Sequence, residues 1–262
     1  MRTREEQEAI NKACKYHPNS TEELQKLVND TEVKLGEIDT SQITDMSELF
    51  KDSKRTDFSG IEKWNVSNVT SMGAMFAGCH DFNQDISSWD VSSVENMFGM
   101  FADCRAFNQS LNAWDVSKVT SMFNLFYGCE NFNQPLDNWN VANVEDMLEM
   151  FSYCQNFNQD IGGWNVEKVH DMSYMFQSCE KFNQNLNKWS VNKRCKTFNI
   201  FFNAGQDLFN ANKAFTTEQL LKSLTTNEEV EVDDLESLTE QNFWEQSLNV
   251  TNEIEVGVQN GV

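Results

Sequence analysis

The stretch Phe82–Ala106, FNQDISSWDVSSVENMFGMFADCRA, decides how this chain is read, because it recurs. Trp64, Trp89, Trp114, Trp139, Trp164 and Trp189 stand 25 residues apart. Cys79, Cys104, Cys129, Cys154 and Cys179 keep the same period, as do Met72, Met97, Met122, Met147 and Met172. Phe76 recurs through Phe201, and the triplet FNQ opens at Phe82, Phe107, Phe132, Phe157 and Phe182. An imperfect unit, LGEIDTSQITDMSELF, comes first, with Ile38 in the Trp place and Met46 and Phe50 in the Met and Phe places. Beyond Cys179 the pattern decays: Arg194 takes a Val place and Ala204 a Cys place. A unit this short cannot enclose a core alone, so successive units must stack and bury their apolar faces on one another.

Two apolar rhythms run through each unit. Ile86-x-x-Trp89-x-Val91-x-x-Val94 suits a short strand. Met97-x-x-Met100-Phe101-x-x-Cys104 has the i, i+3, i+4, i+7 spacing of one helical face. The expectation is an α/β repeat solenoid, a coil stack with one short parallel strand and one short helix per 25-residue repeat. About seven coils fall within residues 36–205, the first and last degenerate. Residues 1–35 read as a helical N-terminal cap, with a polar helix over Arg2–Tyr16 and a second opening on the Ser20-x-x-Glu23 capping box. Residues 206–262 carry 12 acidic and 2 basic residues, a net of −10. They read as a cap helix near Phe215–Leu221 and an acidic tail expected to stay disordered. Its FWEQSL island (Phe243–Leu248) is a weak cap helix or a docking motif.

The unit W-[DN]-V-S-x-V-x-x-M-x-x-M-F-x-x-C-x-x-F-N-Q resembles the BspA-like leucine-rich-repeat surface proteins of bacteria and some protists. The resemblance covers residues 36–205. It implies a right-handed leucine-rich-repeat solenoid used for binding, with adhesion to proteins of a host or neighbouring cell as the common use.

Charge and motifs exclude several classes of function. The 262-residue chain carries 41 acidic and 20 basic residues, a formal net charge of −21. Phosphate binding is driven by Lys and Arg displacing counterions, so a nucleic-acid partner is not expected. An anionic membrane surface is disfavoured for the same reason, and no apolar run of about 18 residues predicts membrane insertion. The first thirty residues lack the apolar stretch of an export signal, which predicts a cytoplasmic location, whereas the family resemblance implies the cell surface. No phosphate loop, dinucleotide fingerprint, zinc-protease or EF-hand motif occurs. Neither do the paired Cys or Cys/His spacings of a zinc site. The expectation is therefore no enzyme, no metal and no cofactor. The Cys ladder reads as small apolar filler rather than chemistry. Cys79-His80 are adjacent, but neighbours in sequence point apart, and Arg105, Glu130, Gln155 and Glu180 take the His80 place in sister units. Asp90 and Asp115, one coil apart, form a weak cation candidate whose plainer reading is a turn or ladder hydrogen bond. The repeated Asn-Gln pairs and the Trp track read as structural.

What remains for function is where the units disagree. Lys63, Ser88, Ala113, Asn138, Gly163 and Lys188 precede each Trp, and Asn65, Asp90, Asp115, Asn140, Asn165 and Ser190 follow it. On a strand both sets would point away from Trp, onto a concave surface. The expected function is non-catalytic binding of a protein or peptide through that surface. The rival reading is a structural element that self-associates by end-to-end stacking.

Overall fold

A computed structural model of the chain describes residues 3–205. The expected cap helix at Phe215–Leu221, the acidic tail and the FWEQSL island lie outside the described residues.

Two helices open the chain. Helix α1 (Arg4–Ala13) starts on a capping box: Thr3 Oγ1 accepts the Glu6 N–H, and the Glu6 carboxylate accepts the Thr3 N–H. Helix α2 (Thr21–Asn29) starts at Ser20, whose hydroxyl accepts the Glu23 N–H, while the Glu23 carboxylate takes the N–H of Asn19. Leu24 and Val28, one turn apart, bury one face of α2 in the core.

The rest of the described chain is a stack of coils, but not the predicted one. Apart from two short 3-10 turns, Leu35–Glu37 and Ile61–Lys63, no further helix forms among the described residues. Sheet pairing is limited to single parallel bridges, among them the column Asp45, Ser71, Asn96, Ser121, Asp146, Asp171 and Lys196. The α/β solenoid with a strand and a helix per repeat is therefore corrected. Each coil is a succession of tight turns.

Both apolar rhythms have this origin. In the expected strand, the Trp89 N–H bonds to the Ile86 carbonyl and the Val94 N–H to the Val91 carbonyl, so each i, i+3 pair closes a turn and points both side chains inward. In the expected helix, two residues per coil, four apart, have positive φ: Gly99 and Asp103, then Asn124 and Gly128, then Glu149 and Tyr153. A left-handed residue at every fourth position breaks a helix. It also restarts the turn at a spacing that still faces positions i, i+3, i+4 and i+7 inward. Met97, Met100, Phe101 and Cys104 are all fully buried.

The coils are joined along this half by backbone. The N–H groups of Met97, Gly99, Phe101 and Asp103 donate to the carbonyls of Ser121, Phe123, Leu125 and Tyr127 on the next coil, at 2.6–3.1 Å. Intervening amides close the turns within the coil, as Met100 to Met97 and Cys104 to Phe101. Every amide in the run thus finds a partner without a strand or a helix.

The interior is aromatic. Phe76, Phe101, Phe126, Phe151 and Phe176 stack with ring centroids 5.6–5.9 Å apart. Beside them run Phe82, Phe107, Phe132, Phe157 and Phe182 at 5.7–6.0 Å. Each Trp indole Nε1 donates to the carbonyl of the Ile or Leu about one coil back, from Trp64 to Leu35 through Trp189 to Ile161, at 2.8–3.3 Å. A buried indole N–H needs such a partner, which ties each Trp to its place in the repeat.

Helix α2 closes the first coil. In the stack, the carbonyls of Ser71 and Met75 accept the amides of Met46 and Phe50 from the coil before. The first coil has no predecessor. Its corresponding carbonyls, Asp45 and Leu49, take Thr21 Oγ1 (2.7 Å) and Gln25 Nε2 (2.9 Å) from α2. The Arg55 guanidinium then ties the end of α2 to the following loop through the carbonyls of Val28, Asp30 and Val33.

Candidate functional site

The residues that precede each Trp sit in the turn that Trp closes. Lys63, Ala113, Asn138, Gly163 and Lys188 are exposed and Ser88 is half-buried. A Cβ added at Gly163 would meet nothing within 4 Å, so this register is open. The residues that follow Trp are solvent-facing too, but their side chains are engaged. Asn65, Asp90, Asp115, Asn140 and Asn165 each accept the N–H two residues ahead through Oδ1, at 3.0–3.2 Å. These are Asx turns. Asp90 Oδ1 also takes the Ser92 hydroxyl at 2.7 Å. At Asp115 the Ser117 hydroxyl and N–H hold the carboxyl below the usual range. Ser190, the last of the track, is exposed. The concave strand face expected to carry both tracks does not form, because no strand forms among the described residues. Two rows of exposed turn positions flanking the buried Trp remain.

The ladder cysteines are interior. Cys79, Cys104, Cys129, Cys154 and Cys179 are buried and reduced, each Sγ donating to a Phe carbonyl about one coil earlier at 2.8–3.1 Å. Burial pushes the Cys79 thiol up to about 11 and raises the other four in the same direction. A neutral buried thiol is a poor nucleophile. His80 Nδ1 lies 2.9 Å from the Asp103 carbonyl rather than on Cys79. Among the described residues no three His, Cys, Asp or Glu side chains are grouped to hold a metal ion.

The Asn-Gln pairs join coils where the backbone does not. Asn83, Asn108, Asn133 and Asn158 each accept through Oδ1 the N–H of the Asn one coil on, at 2.9–3.0 Å. The neighbouring Gln Nε2 reaches the same Oδ1 at 2.8–3.1 Å.

Sequence reasoning missed a third surface, on the outer side of the Met-to-Cys turns. Phe98, Phe123, Leu148 and Phe198 share one register, with the first three half-buried and Phe198 45% exposed. Beside them lie Tyr127, Tyr153 and Tyr174, with Tyr153 38% exposed. Tyr127 meets Tyr153 edge to face at 5.5 Å, and Tyr174 meets Phe198 at 5.4 Å. Phe98 lies where a side chain on Gly73 would stand, since a Cβ there would fall 2.2 Å from its ring. The signal in the sequence was the remainder. Three of the four Tyr residues fall at positions the repeat does not dictate. A further open depression of about 340 Å³, lined by Glu95, Lys118, Thr120, Asn143, Glu145 and Lys168, is shallow and charge-balanced.

The sequence matches the family described as "Mycoplasma protein of unknown function, DUF285" over residues 20–130 and again over residues 109–215. The chain belongs to the DUF285 family. The two overlapping matches divide the stack, and each takes in several 25-residue units, as a repeat family should. No curated protein and no solved structure matches. DUF285 membership establishes a repeat protein; the leucine-rich-repeat fold implied by the BspA-like resemblance gives way to the stack of turns. No helix among the described residues is long and apolar enough to cross a membrane.

Proposed function

We propose that this DUF285 chain is a non-catalytic binding module that presents outward registers of its coil stack to a protein or peptide. The observation that carries this reading is the contrast between inward and outward positions. Buried Trp, Phe, Met and Cys repeat from coil to coil, while the outer registers change from Lys63 to Ala113 to Gly163 and from Phe98 to Leu148. Residues that the fold does not dictate are free to serve recognition, and stacked repeats offer them over an extended surface. The depression lined by Glu95, Lys118 and Lys168 is shallow, a form that suits a macromolecular ligand better than a small one. Adhesion is the form of this reading in which the partner sits on another cell, and the BspA-like resemblance is what supports it.

End-to-end stacking is disfavoured at the N-terminal end, because Thr21 and Gln25 already occupy the Asp45 and Leu49 carbonyls there.

The test is capture with the full chain beside two surface variants. One carries Ala113→Arg and Asn138→Arg on the row before Trp; the other carries Phe123→Arg and Leu148→Arg on the aromatic face. Both should melt cooperatively. The reading expects a protein held by the parent and lost by one variant. Equal capture by all three, or none by the parent in its native extract, removes it.

A further inference from the structure

The aromatic face concentrates several anomalies on two neighbouring coils. Tyr153 and Tyr174 have φ of 62° and 56°, and Glu149 has 54°. The same two registers on the intervening coils hold Gly99, Asp103, Asn124 and Gly128, residues that accept a left-handed backbone at low cost, while Glu48 and Ala74 stand there nearer the N-terminus. Bulky residues there are outliers, and strain of this kind gathers at functional positions. The coil-to-coil pairing of turns has to carry that cost here, and nothing in the interior gains from it, since all three side chains point outward or lie half-buried.

Unpartnered polar groups sit at the same place. Glu149 is half-buried, and burial raises its carboxyl pKa with no cation to offset it. Its charge also acts on the Tyr127 and Tyr174 phenols flanking it, adding to the rise that burial causes in both. Asn124 Oδ1 and Ser152 Oγ are buried without a hydrogen-bond partner among the described residues. Such groups cost about 1–3 kcal/mol each until something pairs with them. The outer turns at residues 98–103, 123–128, 148–153 and 173–178 contain two charged residues, Asp103 and Glu149, and no Lys or Arg. Tyr127 and Tyr174 stand close enough to Glu149 to feel its charge, and Tyr153 meets Tyr127 edge to face.

We propose that this face is the partner's docking surface, and that it receives a segment bearing arginine beside apolar side chains. Arginine offers donors only, in a planar fork that fits the half-buried Glu149 carboxylate. Its guanidinium stacks on tyrosine faces. Apolar side chains next to it would cover Phe123 and Leu148. Tyrosine-rich centres of this kind carry most of the energy in protein interfaces. The chain's net charge of −21 favours encounter with a cationic segment. This assignment rests on the protein-binding reading above and names the face and the partner's chemistry.

The test uses three fluorescein-labelled twelve-residue peptides, alternating Arg-Leu, Arg-Ser and Glu-Leu, titrated with the full chain in 150 mM salt. Arg-Leu should bind at least about tenfold tighter than either of the others. Glu149→Gln and Tyr153→Ala should each weaken it by about tenfold, Tyr153→Phe should restore most of the binding, and Ala113→Arg with Asn138→Arg should leave it less affected than Glu149→Gln. Melting curves confirm that each variant is folded. Equal binding of Arg-Leu and Arg-Ser, or indifference to Glu149→Gln, would mean generic attraction to an acidic chain and overturn the proposal. If the peptides fail while the parent still captures a partner that the Ala113 and Asn138 variant loses, protein binding stands and the aromatic face does not.

Discussion

The two halves of each coil solve the same stacking problem differently. In the Met-to-Cys half, backbone amides reach the next coil directly, as Met97, Gly99, Phe101 and Asp103 do. In the half running from FNQ to Trp, side chains make the junction: the Asn83-to-Asn158 ladder, the Gln amides and the Trp indoles. Where the backbone does the joining, side chains are released, and this half bears Gly, Asp, Glu and Tyr at equivalent places. Where side chains do the joining they cannot vary, and Trp, Asn and Gln repeat without exception from Phe82 to Trp189. Variation at Gly99, Asn124, Glu149 and Tyr174 and constancy at the Asn, Gln and Trp places follow from which atoms hold the coils together.

That comparison can be broken in graded ways. The largest expected effect is all-or-none: iodoacetamide at pH 8 should label Cys14, which is half-buried, well before the five ladder thiols, which react only once urea opens the stack. Alkylation of Cys129 in the folded chain at a rate near that of a free thiol would contradict the burial. The same thiols set an alkaline limit. In the unfolded chain they ionise near pH 8.5, while in the folded chain Cys79 holds its proton to about 11. Their contribution is complete below about pH 8.5 and declines as pH rises towards 11, because only the unfolded state releases protons in that window. Urea midpoints at pH 8 and pH 10 measure it.

Trp139→Ala should cost about 3–5 kcal/mol, as a large interior ring is lost and the Leu111 carbonyl loses its donor. Asn133→Ala should cost about 1 kcal/mol, since the Asn158 N–H and the Gln159 amide lose an acceptor but lie where water can replace it. An Asn133→Ala effect as large as that of Trp139→Ala would mean that the exposed ladder, not the aromatic interior, holds this half together.

The interior was legible in the sequence. Every Trp, Met, Cys and FNQ Phe assigned inward from the 25-residue period is buried, from Trp64 and Met72 through Cys179 and Phe182. The secondary structure was not, for a geometric reason. Met97, Met100, Phe101 and Cys104 satisfy a helical stripe and a run of turns equally well, because a left-handed residue every fourth position returns the chain to the same face. The deciding letters were Gly99, Asp103, Asn124 and Gly128, which favour positive φ and recur at two registers four apart. Ile86-x-x-Trp89-x-Val91-x-x-Val94 likewise steps by three, two and three, where a strand would step by twos. Of the candidate site, the exposure of Lys63, Ala113, Asn138, Gly163 and Lys188 could be inferred from their variation. The Asx turns of Asp90 and Asp115 needed the backbone. The aromatic face lay hidden because the column of Phe98, Phe123, Leu148 and Phe198 is broken by Ser173, and Tyr153 has no aromatic counterpart on the other coils.

The central claim is that the stretch read as a helix is a chain of turns, and Gly99→Ala tests it most directly. Gly99 has φ of 54°, and the nearest atom to an added Cβ is the Ala102 Cβ at 3.9 Å, so packing does not confuse the result. Within a helix the change would stabilise the chain by about 1 kcal/mol. At a left-handed position it costs roughly 1–2 kcal/mol, less the 0.4–1 gained from a stiffer unfolded chain, a net loss of up to about 1.6 kcal/mol. A urea midpoint below that of the parent is the predicted result, and one above it would contradict the stack of turns.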